Sequence, residues 1–90
     1  MATVTEVRAR MMARAASIPT RQLCEALEIL DAKRDTDDAE RLTRSVLIDT
    51  LCERHPEADA AFGAWANGDD VNFHNAVKAI TSAARATSRR

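Results

Sequence analysis

The stretch that decides the fold is DDAERLTRSVLIDTLCER, residues 37–54. Asp37, followed by a glutamate three positions later, has the form of a capping box, which marks the start of a helix. Three large aliphatic residues, Val46, Leu47 and Ile48, then follow one another and point in directions about 100° apart on a helix. A helix that is apolar around much of its circumference is either central to a bundle or shared with a partner.

Both interpretations of this third helix stay open at the level of sequence. One side carries Leu42 and Val46, and the other carries Leu47, Ile48, Leu51 and Cys52. Either the other helices wrap both sides, or one side binds a second copy or another protein. A chain of 90 residues has a marginal core, so self-association would add stability. The residues predicted to form this interface are Val46, Leu47, Ile48, Leu51 and Trp65.

Apolar spacing and helix breakers predict up to four further helices. The expected ranges are 4–16, 21–33 and 56–66, with a last helix that begins at Asp69 or Asp70 and fades near Thr87. The fold class is therefore all-α, a small bundle of four or five short helices with helix three central. We expect a single helical domain over residues 1–90, with a loosely packed N-terminal helix within 1–17 and a frayed basic tail at 88–90.

Local sequence also predicts how these helices begin and end. Thr20 is expected to cap the second helix, whereas the first helix has no strong cap. His55 is expected to cap the fourth, with Pro56 in its first turn. Asn67-Gly68 predicts a left-handed end for that helix.

Composition excludes several classes of protein. Hydrophobic residues make up 46% of the chain, which is too many for wholesale disorder. Three aromatic residues, two glycines and two prolines disfavour a β-sandwich or barrel, and also an aromatic platform for single-stranded nucleic acid. The 13 basic and 14 acidic residues argue against a histone-like polycation or an acidic mimic of DNA.

The charges are nevertheless segregated along the chain. Net charge is +3 over residues 1–24, −6 over 25–59 and +2 over 60–90. The basic ends suggest an alternative function in which the protein binds a nucleic-acid backbone. The residues that would do so are Arg8, Arg10, Arg14, Lys78, Arg85, Arg89 and Arg90. A helix-turn-helix is disfavoured because the first turns of helix three are acidic.

Candidate chemistry is sparse. Cys24, Cys52, His55 and His74 match the ligand count of a structural zinc, but only the middle two are close in sequence, and such sites draw on two close pairs. The Cys52–His55 pair has no third group to orient it for nucleophilic catalysis. We therefore expect no enzyme activity, catalytic residue, metal, cofactor or small-molecule substrate, and two reduced cysteines in the core.

Candidate targeting segments and the use of arginine over lysine bear on the compartment and source of the protein. No apolar run approaches the length of a membrane span, and the arginines near the N-terminus interrupt any signal-peptide core, although an arginine-rich transit peptide is an alternative. We expect a cytoplasmic protein. Eleven arginines against two lysines favour a high-GC bacterium, or its phage or plasmid. The predicted function is a non-enzymatic accessory or regulatory protein that binds another protein or itself, as a homo-oligomer, through apolar helix faces.

Overall fold

The chain folds into five α-helices, and the computed structural model describes residues 2–88. The helices are α1 (Val4–Ala15), α2 (Thr20–Ala32), α3 (Asp38–Arg54), α4 (Pro56–Ala66) and α5 (Phe73–Ser88). Helix α3 packs against all four of the others, and α4 pairs most extensively with α5. The predicted all-α bundle with a central third helix is confirmed.

Helix α3 begins and ends where its sequence predicts. The backbone N–H of Glu40 donates to Oδ1 of Asp37 at 2.7 Å, and the backbone N–H of Asp37 donates to Oε1 of Glu40 at 3.3 Å, which completes the capping box. His55 is both the last cap of α3 and the first cap of α4, with Pro56 in the first turn of α4. The chain therefore turns from one helix into the next at a single residue.

Two predictions about helix starts are wrong. Thr20 is the first residue of α2, and Pro19 occupies the cap position without a side-chain hydrogen bond. The hydroxyl of Thr20 is engaged instead by His55 and Arg54, from the far end of α3. Helix α1 does have a cap, because Oγ1 of Thr3 accepts a hydrogen bond from the backbone N–H of Glu6 at 3.1 Å.

The connection between α4 and α5 also differs from the prediction. Asn67 is right-handed, and neither glycine has a positive φ, so the predicted left-handed end is wrong. Helix α5 begins at Phe73 rather than at an aspartate. The side chain of Asn72 accepts from the backbone N–H of His74 at 3.1 Å, and Asp70 accepts from the backbone N–H of Asn72 at 2.8 Å. Asparagine thus takes the capping position for which the upstream aspartates were the sequence candidates.

The core lies along α3 and between α2 and α5. Its largest fully buried side chains are Leu23, Leu27, Leu51, Val77, Ile80 and Cys24. Burial of each large aliphatic side chain contributes roughly 1.5–3 kcal/mol to folding. Within the described part of the chain, no helix is both long enough and apolar enough to cross a bilayer.

Candidate protein-binding surface

Helix α1 points only part of its apolar stripe at the core. Ala15 is buried there, and Met11 and Ile18 pack against it, whereas Val4 at the start of the helix stays outside. The polar contacts to α3, made by Arg8 and Met12, lie to one side of this stripe, so that the stripe meets the core with one edge. As a result Val4 is 72% exposed, and Ala15 is the only residue of the helix that is fully buried.

Polar contacts hold α1 in this orientation. Arg54 donates from Nη2 to the carbonyl oxygens of Ala15 and Ala16, both at 3.2 Å, and from Nη1 to the carbonyl of Ile18 at 2.6 Å. These carbonyls lie at the end of α1, where a helix leaves its acceptors unsatisfied and attracts positive charge. Near the other end, Arg8 forms an ion pair with Asp49 of α3.

The outward turn of α1 leaves a groove beside it, which we call the α1–α3 groove. Its lining includes Met11, Arg14 and Ile18 on one side and Thr43, Val46 and Leu47 of α3 on the other. Its volume is about 210 Å³, and Arg14 is its one charged lining residue. The partly exposed Val7 and the exposed Val4 continue the apolar surface toward the start of α1. Along this side of the helix, exposure is therefore greatest at Val4, and Val7, Met11 and Ile18 are partly buried.

The α3 residues predicted to form an interface are placed mainly inside the monomer. Val46, Leu47, Ile48 and Leu51 are each at most 6% exposed. Only Val46 and Leu47 reach the floor of the α1–α3 groove, while Ile48 lines a separate shallow groove. The surplus apolar surface that the sequence indicates on α3 is thus covered by the other helices, and the exposed large hydrophobic residues lie elsewhere, at Val4, Ile29 and Val71.

Trp65, the fifth predicted interface residue, belongs to an aromatic cluster on α4 and α5. Its ring is 6.1 Å from that of Phe62 and meets Phe73 edge-on at 5.8 Å between centroids. The guanidinium of Arg44 lies 4.8 Å from the centroid of Phe73. Trp65 is half-buried, and its buried Nε1 atom has no hydrogen-bond partner among the described residues. The structure therefore places Trp65 away from the residues that line the α1–α3 groove.

Some of the basic residues predicted for nucleic-acid binding form ion pairs within the protein. Arg8 pairs with Asp49, and Arg85 pairs with Glu28 of α2. His74, which extends the same stripe of α5, pairs with Asp31. Arg10, Arg14 and Lys78 carry no side-chain ion pair within residues 2–88. Arg89 and Arg90 lie outside the described residues.

The cysteines and histidines do not form a ligand set in the described range. Cys24 is buried in α2, and burial raises the pKa of both its thiol and that of Cys52. His74 is engaged by Asp31 at the surface. Among residues 2–88, no three histidine, cysteine or acidic side chains are grouped so that they could hold a metal ion.

His55 has a structural environment that sequence spacing did not reveal. Its Nε2 lies 2.8 Å from Oγ1 of Thr20, across the junction of α2, α3 and α4. Its Nδ1 is buried and has no hydrogen-bond partner within residues 2–88. Burial, and secondarily the charge of Arg54, lower the pKa of His55 below its usual value. The ring therefore favours its neutral form, in which it joins α2 to the start of α4.

Comparison of the chain with protein-family models, with curated proteins and with solved structures finds no match. Its function has to be argued from its own surface.

Proposed function

We propose that this protein is a non-enzymatic interaction module that binds a protein partner through the exposed stripe of α1 and the α1–α3 groove. The observation that carries the proposal is the orientation of α1, which leaves Val4 exposed and Val7 and Met11 only partly buried beside an open groove. Exposed apolar residues that are contiguous, rather than scattered, are typical of surfaces that bind other proteins.

The way α1 is anchored supports the proposal. A helix of this size usually gains its place in a bundle by burying its apolar stripe. Here α1 buries only Ala15 fully into the core, and the guanidinium groups of Arg54 and Arg8 add contacts to backbone carbonyls and a carboxylate. Val4 is therefore available to a partner, and Met11 lines the groove with the surface that it does not pack against the core.

The test is photo-crosslinking in a bacterial host. A photoreactive amino acid is placed at Val4 or Met11, and a matched control is placed at Ile29, which is 64% exposed on α2. We expect a discrete crosslinked species from positions 4 and 11 and none from 29. The added substitution Val7→Asp should abolish it. Equal crosslinking from position 29, or no species from either α1 position, would refute the proposal. A species of twice the monomer mass would identify the partner as a second copy.

Electrophoretic mobility shifts with duplex DNA and RNA test the alternative function. Because Arg8 and Arg85 form ion pairs, few unpaired cations are left on α1 and α5. These two helices do not pack extensively against each other. We expect no salt-dependent binding at physiological ionic strength, because few phosphates would be neutralised. Tight binding whose affinity falls steeply with salt would favour the nucleic-acid function.

A further inference from the structure

We infer that the occupant of the α1–α3 groove is an acidic amphipathic helix of another protein. The inference rests on the proposed function, because it names the partner for that same surface. Its observations are the shape of the groove, the charge along its edge and the absence of a strand edge among residues 2–88.

The shape of the surface favours a helical partner. The groove runs between two helices, and Val4, Val7 and Met11 extend it along α1, whose 12 residues span about 18 Å. A helix fills such a groove with apolar residues at i, i+4 and i+7, which is a recurring mode of peptide recognition. Strand addition, the other common mode, requires the edge of a β-sheet, and residues 2–88 contain no strand.

The charge along the edge favours an acidic partner. Arg14 lines the groove, and Arg10 lies one turn earlier on the same flank of α1. Both are exposed, and neither has a side-chain partner within the described chain. The opposite edge supplies the neutral Thr43. A helix with carboxylates beside its apolar residues would pair with these two arginines.

The same charges argue against a second copy as the occupant. Arg10 and Arg14 on this flank have no ion pair in the described chain, unlike Arg8, which pairs with Asp49. A two-fold pairing over the groove would gather these two arginines from both copies into one interface, because an isologous interface uses the identical patch of each subunit. Like charges placed opposite one another at an interface disfavour association.

The experiment uses the full chain and two synthetic peptides of about 18 residues, or five turns. Both peptides carry the same leucine stripe, one flanked by glutamates and the other by lysines, and binding is measured by fluorescence anisotropy at low salt. We expect the acidic peptide to bind about tenfold more tightly, as two exposed ion pairs allow. Arg10→Glu combined with Arg14→Glu should reverse the preference. Lys78→Glu on α5, which makes a single such charge reversal elsewhere, should leave it unchanged.

The outcomes separate the inference from the proposed function. If both peptides bind equally and Met11→Asp abolishes both, the surface stands and the acidic partner is wrong. If neither peptide binds, or if Met11→Asp has no effect, the surface itself is wrong. Light scattering that shows a dimer broken by Met11→Asp would overturn the inference in favour of a second copy. Circular dichroism and the melting temperature check that each substitution leaves the bundle folded, above all Met11→Asp, because Met11 packs against the core.

Discussion

Replacing Arg54 with alanine should release α1 from the bundle. The guanidinium makes four hydrogen bonds to the α1–α2 connection, three to carbonyls at or beyond the end of α1 and one to Thr20 at 3.3 Å. A hydrogen bond from a charged donor contributes about 1.5–3 kcal/mol where its acceptor is otherwise left buried. Carbonyls at the edge of the bundle regain water when Arg54 is removed, so we expect a net loss of about 2–3 kcal/mol rather than the full sum.

Chemical and thermal unfolding followed by circular dichroism measures this loss. For a domain of this size, about 2–3 kcal/mol corresponds to a fall in Tm of roughly 10–20 °C. The matched control is Arg41→Ala, because Arg41 makes only an exposed 3.5 Å ion pair with Asp38, and such pairs are worth about 0.5 kcal/mol. Arg54→Lys, which keeps the charge but loses the fork of donors, should recover less than half of the lost stability.

Hydrogen exchange locates the effect of the same substitution. Amides of α1 should exchange faster in Arg54→Ala, while those of α5 should keep their relative protection. The reasoning fails if Arg54→Ala costs no more than Arg41→Ala, or if protection falls evenly over all five helices. Either result would mean that apolar packing, and not Arg54, holds α1 in place.

Three further predictions concern the bundle itself. Because the pKa of His55 is lowered in the folded state, the unfolded chain binds the proton more readily. The free energy of unfolding should therefore be level above about pH 6.5 and fall as the pH drops below it. His55→Asn should flatten this part of a pH titration of stability. Asp37→Ala should cost about 1 kcal/mol in urea unfolding, with Asp38→Ala, which lies outside the capping box, costing less than half of that. Leu51→Ala should lower the free energy of unfolding by about 2–5 kcal/mol, because this side chain is fully buried. Ile29→Ala, at an exposed position, should change it by no more than about 0.5 kcal/mol. Equal losses would contradict the central position of α3.

Local sequence predicts the parts of this fold that depend on neighbours three or four residues apart. The capping box of Asp37 and the α3–α4 turn at His55 and Pro56 are such features, and the structure confirms both. The predicted start of α5 is wrong because Asp69, Asp70 and Asn72 are all suitable N-cap residues within a stretch of four. Competition between them is decided by where the loop meets the bundle, which propensity does not encode.

The orientation of α1 could not be predicted, for a different reason. Its apolar spacing is regular, and the usual inference is that such a stripe faces the core. The polar contacts that orient it come from Asp49 and Arg54, 41 and 39 residues away in sequence from Arg8 and Ala15, the α1 residues that they bind. An arginine at the end of α3 is locally explained by the helix dipole alone, so nothing near Arg54 in the sequence indicates its role.

The central claim is that the start of the apolar stripe of α1, at Val4 and Val7, is accessible in the free protein and covered by a partner. Methyl NMR of the five valines tests it in a single sample with a soluble paramagnetic agent. In the free chain, Val71, which is 94% exposed, and Val4 should be strongly relaxed, whereas Val46 and Val77, at 2% and 1%, should be protected. Addition of the acidic peptide should protect Val4 and Val7 and leave Val71 relaxed. Protection of Val4 in the free chain to the level of Val77, or protection of Val71 in place of Val4 on binding, would contradict the account.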